Sequence, residues 1–185
     1  MIVDQKTSLL SELTHEEAVA RARALAPAIE QRASAAEAQR RQPMETVQEF
    51  IDAGLVRMLV PKRWGGYELS INALIDSAIE IAKADASAGW GYTFLVIHSC
   101  CLAHFPEQAQ RDVWVSNPDV MLMAALIPAG RFRRVDGGYQ LSGSWAWSSG
   151  IDHCQWSMLT ALPESLDGPP HVFLLPSSDC TILDT

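Results

Sequence analysis

Apolar and polar positions follow one period in the first two thirds of this chain and another in the last third. The change falls just after Asn117-Pro118. Before it, the text reads as helices. Thr14 and Glu17 form a T-x-x-E capping box ahead of an alanine-rich, charge-studded run to Arg41. Its apolar positions, Val19, Leu25 and Ile29, are sparse, which predicts a helix covering one side of a core. Pro27 inside it predicts a kink. Pro43 is placed to open a second helix and Gly54 to end it, with Val47, Phe50 and Ile51 as the inner stripe. Gly65-Gly66 marks a tight loop. Ser70 then caps a third helix with an inner stripe of Ile71, Leu74, Ile75, Ala78, Ile79 and Ala82. Asp85 or Ser87 caps a fourth, which runs to about His104. It is apolar nearly all round and is therefore expected at the centre of the bundle. Pro106 opens a short fifth helix that ends near Trp114.

After residue 118 the pattern is that of strands. Residues 120–127 form an apolar run. Asp136-Gly137-Gly138 is a hairpin turn between residues 132–135 and 139–141. Residues 155–162 and 171–175 read as further strands around a loop at 163–170. Residues 180–183 read as a strand that has only begun. The predicted fold class is α+β: an N-terminal all-α domain over residues 1–117, then the first part of an antiparallel β-barrel or sandwich domain over 118–185. A sheet left with an open edge is a liability, so the end at Thr185 suggests either a fragment or a partner that completes the sheet.

Composition narrows the function classes. The 185 residues carry a formal net charge of -8, which disfavours nucleic acid and anionic lipid as partners. The most apolar stretch, residues 86–105, is broken by His98, Ser99 and His104 and reads as a buried helix rather than a membrane span. Residues 1–12 have no apolar core of a signal peptide. Cys100, Cys101, Cys154 and Cys180 include no C-x-x-C, so neither a zinc site nor a disulfide framework is implied. A reduced, cytoplasmic protein is expected.

The densest chemistry lies in residues 143–156, with three tryptophans, three serines, Asp152 and His153. Indole faces stack on planar rings, and hydroxyls and backbone N–H groups bond the edge of a heteroaromatic. The competing reading is a strand with Trp145 and Trp147 both turned into one core. His98 lies in the apolar fourth helix, either as a satisfied core group or, facing a pocket, as a base near neutral pH. His104 is about 240° further round at 3.6 residues per turn, so a His-His metal pair is not expected. Ser149 lacks a G-x-S-x-G context, which argues against a serine hydrolase. Arg131, Arg133 and Arg134 read as a solvated hairpin or as a phosphate contact.

Residues 60–67 (VPKRWGGY), 84–90 (ADASAGW), 138–145 (GYQLSGSW) and 147–153 (WSSGIDH) occur in this order. Together they resemble the oxygenase component of two-component flavin-dependent monooxygenases built on the acyl-CoA dehydrogenase fold, of the 4-hydroxyphenylacetate and steroid-ring hydroxylase types. The resemblance runs from about residue 47 to 175, and W-x-W-S-S-G-x-D-H is its specific part. It implies that a separate NAD(P)H:flavin reductase supplies reduced FMN or FAD, and that one atom of O2 goes to a phenolic or polycyclic aromatic substrate. Carried over position by position, Trp90 and Trp147 lie against the isoalloxazine. Ser148 and Ser149 bond its polar edge, and Ala124 and Ala125 occupy the strand beside it. His98 contacts the phenol oxygen and favours the phenolate. No metal is implied, and the full-length form is expected to be a homotetramer.

Two departures qualify the likeness. The family presents a Ser-Ser pair where this chain has Ala124-Ala125. Its members also continue through a C-terminal helical domain that completes the pocket. An acyl-CoA dehydrogenase-type flavoprotein with tightly bound FAD, or a truncated non-catalytic relative, are the alternatives.

Overall fold

The structure is a computed structural model that describes residues 12–183. Most of the residues read above for a signal peptide lie outside that range. Five helices come first, then four strands. In α1 (His15–Gln39) the capping box forms as read. The Glu17 N–H donates to Thr14 Oγ1 at 3.2 Å, and the Thr14 N–H donates to Glu17 Oε2 at 2.9 Å. The helix continues through Pro27 as one element and ends at Arg40, whose φ of 54° is left-handed. α2 (Met44–Asp52) begins one residue later than expected, with Pro43 as its N-cap. Gly54, at φ 73°, turns the chain away after it.

In α3 (Ile71–Ala84) the buried face is Ala73, Leu74, Ser77 and Ile81; of the predicted stripe only Leu74 is fully buried, with Ala78 partly so. Ile71, Ile75 and Ile79 are each 49% exposed. The small Ala73 and Ser77 share the inner face with Leu74 and Ile81, because α3 packs closely against both α1 and α4. A Cβ on Gly89 of α4 (Ala86–Leu102) would sit 2.6 Å from Ala82 Cβ. Asp85 caps α4, accepting from the Ser87 N–H at 2.8 Å. The helix ends at Leu102, slightly short of His104, and α5 (Glu107–Trp114) follows.

The strands β1 (Leu122–Val135), β2 (Gly138–Gly143), β3 (Trp156–Pro163) and β4 (His171–Pro176) form one sheet in the order β2-β1-β3-β4. The sheet is mixed rather than antiparallel throughout. β1 pairs antiparallel with β2 across the Gly137 turn, and β3 pairs antiparallel with β4, but β1 and β3 are parallel. The hairpin occupies one edge of β1, so the chain must cross through residues 144–155 to add β3 on the other edge. A register shift between Ala125 and Gly130 bends β1. The sheet curls until Tyr139 of β2 meets Phe173 of β4 at 5.5 Å, across Phe132. Residues 180–183 form no strand; a single helical turn at Ser177–Asp179 ends the β4 edge.

One core joins the two parts. Phe50, Leu74, Ile81, Tyr92 and Leu95 from the helices belong to the same buried cluster as Met121, Met123, Ala125 and Leu159 from the sheet and its approach. The Arg57–Asp119 ion pair at 2.8 Å fastens the chain after α2 to the chain before β1. Burial, partly offset by the Arg57 charge, raises the Asp119 pKa above the usual carboxylate range. No described helix is long and apolar enough to cross a membrane.

Candidate functional site

One wall of the candidate site is a single row on α4. Trp90, Phe94 and His98 are spaced i, i+4, i+8, so they lie along one side of the helix. Their rings touch in sequence, at 4.6 Å for Trp90–Phe94 and 5.7 Å for Phe94–His98. The row passes from water into the core. Trp90 is 62% exposed and His98 only 6%.

His98 is bound to the sheet. Its Nδ1 lies 2.9 Å from the Leu122 carbonyl of β1. A carbonyl only accepts, so Nδ1 carries the proton, and in the neutral ring the lone pair is on Nε2. Burial holds the His98 pKa below its ordinary value, against the opposing pull of that hydrogen bond. The result is a neutral imidazole of fixed tautomer, able to accept a proton at Nε2. Two residues beyond Leu122, Ala124 is half-buried and Ala125 buried. His104 lies on another face, exposed, with Nδ1 on the Cys100 carbonyl.

The second wall is the crossover between β2 and β3. It is not the strand that the alternation of tryptophans suggested. Trp145 folds back over Gly130 and Gly143: a Cβ on Gly130 would stand 2.2 Å from its ring, and one on Gly143 2.6 Å from the Gly130 Cα and 3.0 Å from the ring. Its Nε1–H donates to the Thr160 carbonyl at 2.8 Å. Trp147 does the opposite: it is 89% exposed and held at φ 62°. A left-handed conformation costs a non-glycine residue on the order of 1 kcal/mol. An exposed indole gains nothing from burial to offset that cost, which marks Trp147 as a candidate contact for something outside the fold. Ser148 Oγ has only a long 3.4 Å bond to the Trp145 carbonyl. Gly150, at φ 79°, reverses the chain into the turn Ile151–His153.

A cleft of about 670 Å³ separates the two walls. Trp90 and Ser149 both line it, so the structure brings together two residues that lie far apart in the sequence. Ser149 Oγ has no hydrogen bond to another described residue, leaving it open to a ligand. His98, Ala124, Ala125, Trp147 and Ser148 are not among the residues lining this cleft. The cleft is also bounded by Asp85, Gly91, Gln42 and His153, which the sequence reading did not assign to the site. His153 stood in the recognised motif, but the end of α1 and the residues before α2 carried no sequence signal of their own. Arg133 is paired with Gln140 across the hairpin at 2.9 Å, on the exposed part of the sheet. Among the described residues no three His, Cys, Asp or Glu side chains are grouped to hold a metal ion.

Comparison with known proteins agrees with this architecture. The family described as acyl-CoA dehydrogenase, N-terminal domain, matches residues 12–117. The flavin-dependent monooxygenase oxygenase subunit HsaA of Rhodococcus jostii (strain RHA1) is 38% identical over 87% of this chain and 43% of its own length. The p-hydroxyphenylacetate 3-hydroxylase oxygenase component of Acinetobacter baumannii is 33% identical over 85% of this chain and 38% of its own. Among solved structures, XiaF from Streptomyces sp. in complex with FADH2 and glycerol superposes with a TM-score of 0.85 at 28% identity, covering 97% of this chain and 45% of that one. The chain thus spans less than half the length of the relatives it matches. The resemblance carried by the four motifs holds, and the matched helical region is more than half of the sequence: the chain belongs to the acyl-CoA dehydrogenase N-terminal domain family.

Proposed function

We propose that this chain is the N-terminal portion of an oxygenase component that hydroxylates a phenolic or polycyclic aromatic substrate using reduced FMN or FAD from a separate NAD(P)H:flavin reductase. The observation that carries the reading is the cleft shared by Trp90 of α4 and Ser149 of the crossover. A planar heteroaromatic needs an apolar face and a hydrogen-bonding edge, and these two residues supply one of each. The strained, exposed Trp147 offers a second indole. The sequence of the relatives, flavin-dependent and phenol-hydroxylating by name, points the same way.

In this reading Trp90 and Trp147 stack on the ring system, while Ser148 and Ser149 bond its polar edge. Ala124 and Ala125 meet it through backbone groups alone. Bound reduced flavin supplies the electrons that activate O2 for insertion of one oxygen atom into the aromatic ring. His98 acts on the substrate. A phenol titrates near 10, so at neutral pH its oxygen needs an acceptor, and the Nε2 lone pair of the neutral His98 provides one. Drawing the proton toward Nε2 pushes electron density into the ring, where oxygen is received. The helical domain is assigned to residues 1–117 and the β-domain from 118. The full-length protein is read as a cytoplasmic homo-oligomer.

Anaerobic titration with reduced FMN and with reduced FAD, followed by tryptophan fluorescence, tests the assignment. Saturable quenching is expected, with affinity lowered about tenfold in Trp90→Ala, near 1.4 kcal/mol. No binding of either flavin overturns the reading in favour of a non-catalytic relative, to which Ala124-Ala125 also points. Purification with tightly held oxidised FAD favours the acyl-CoA dehydrogenase type instead.

A further inference from the structure

We propose that Phe94 is a specificity-determining residue: its ring is the wall on which the substrate's carbocycle packs while the hydroxyl is held at His98, and it restricts the site to phenols of a single ring. This assignment rests on the monooxygenase reading, in which His98 meets the phenol oxygen.

Three rings stand in line on α4, and Phe94 is the middle one, half-buried between the exposed Trp90 and the buried His98. It is held from both ends. Its ring lies 4.6 Å from that of Trp90 at an interplanar angle of 39°, and 5.7 Å from that of His98 at 70°. These neighbours block it from swinging along the helix in either direction. The helix cannot withdraw either, because Leu95, Val96 and Ser99 seat it in the core at 2%, 0% and 1% exposure. At about 100° per residue, Phe94 and His98 project between Trp90 and Leu95, both of which line the cleft. Helical side chains lean toward the N-terminus, which carries both rings toward the cleft end of α4.

His98 keeps an accessible nitrogen. Its Nδ1 is bonded to the Leu122 carbonyl. Nε2 has no hydrogen bond to another described residue, and it is not enclosed in the way that the unpartnered Trp114 Nε1 is. It is therefore open to a hydroxyl that approaches along the row. With a rise of about 1.5 Å per residue, Phe94 is offset from His98 by about 6 Å along the axis and Trp90 by about 12 Å. A phenol whose oxygen reaches Nε2 thus has its ring at the level of Phe94 and short of Trp90. Phe94 meets that ring as aromatic pairs meet, offset or edge to face. A second ring fused on the α4 side needs the volume that Phe94 already fills.

The test titrates the flavin-free chain with phenol and with 2-naphthol, following the His98 Nε2 resonance by nitrogen NMR. Both ligands are expected to move it, with phenol bound about tenfold more tightly. In Phe94→Ala the vacated volume should shift the phenol-to-naphthol ratio about tenfold toward 2-naphthol, with Phe94→Leu intermediate. Phe94→Trp should shift it the other way. A residue that only supports the fold would weaken both ligands together, so an unchanged ratio across the variants overturns the proposal. So does a phenol that fails to bind or leaves His98 unmoved. If Phe94→Ala does not fold, the opposite signs expected for the Leu and Trp variants still decide. Reduced FMN affinity, by anaerobic titration, should change less than twofold in Phe94→Leu, since the ring system stacks on Trp90. Flavin binding with a flat ratio overturns the role of Phe94 alone. No flavin binding overturns the flavin reading, while the ratio still decides Phe94.

Discussion

The two walls of the cleft are built on opposite principles. The α4 wall is a regular helix whose buried side packs against α3 and the sheet, so Trp90, Phe94 and His98 are placed by a rigid rod. The crossover wall has no regular element between Gly143 and Trp156 except one short turn. It is placed by single devices: an indole over two glycines, a left-handed Trp147, and a left-handed Gly150 pressed against Leu95. The helix gives its residues position through many small contacts. The crossover gives its residues position through a few specific ones, each removable by one substitution. Stability should therefore be lost mainly on the first wall, and ligand binding mainly on the second.

The largest effect is expected for Gly89→Ala. The new Cβ would lie 2.6 Å from Ala82 Cβ and 2.9 Å from Ala82 Cα. Forcing α3 and α4 apart costs about 3 kcal/mol by overpacking, measurable as a lowered urea midpoint. Unchanged stability would mean that the helical wall is not rigidly seated. Gly150→Ala is next, at about 2 kcal/mol, because it combines φ 79° with a 3.0 Å approach to Leu95. Its effect on reduced-flavin affinity should exceed that of Gly89→Ala.

Trp147→Gly separates the two properties. The indole is 89% exposed and its backbone is left-handed, so stability should stay within about 1 kcal/mol of the unchanged protein or rise. Reduced-flavin affinity should still fall about tenfold. A large loss of stability would instead make Trp147 a structural residue.

The smallest effect concerns acid. Burial lowers the pKa of both His98 and His153 in the folded state. The unfolded chain therefore binds more protons than the folded one near and below pH 6.5, and stability must fall as pH drops through that value. Above it, the stabilisation from the neutral rings is fully present. Urea midpoints at pH 7.5 and 5.5 check the sign. In His98→Asn, which retains a donor for the Leu122 carbonyl, the difference should shrink but persist through His153. An undiminished difference would assign it elsewhere.

Much of this comparison was legible in the chain itself. The capping box at Thr14 and Glu17, the Asp85 cap and the Gly137 hairpin are local devices, decided by residues within a few positions of one another. The W-x-W-S-S-G-x-D-H motif likewise marked the crossover before its shape was known. Where the reading depended on which side of an element meets which neighbour, it failed. The apolar stripe on α3 pointed to Ile71, Ile75 and Ile79, yet these are half-exposed, because close helix contact selects Ala73 and Ser77. Trp145 and Trp147 alternate as in a strand, yet one is tucked onto the sheet and the other stands in water.

The sequence alone determined the order of elements, the mixed helical and sheet composition, the family and the residue types available for binding a planar ring. Each follows from short-range chemistry: caps, turns, periodicity and a recognisable motif. Only the tertiary structure decided that Trp90 and Ser149 share a cleft, that β1 and β3 run parallel, that burial keeps His98 neutral while the Leu122 carbonyl fixes its tautomer, and that Gln42 and His153 line the cleft at all. Those facts arise from segments separated by tens to more than a hundred residues. The packing of whole elements brings them together, and no local pattern carries that information.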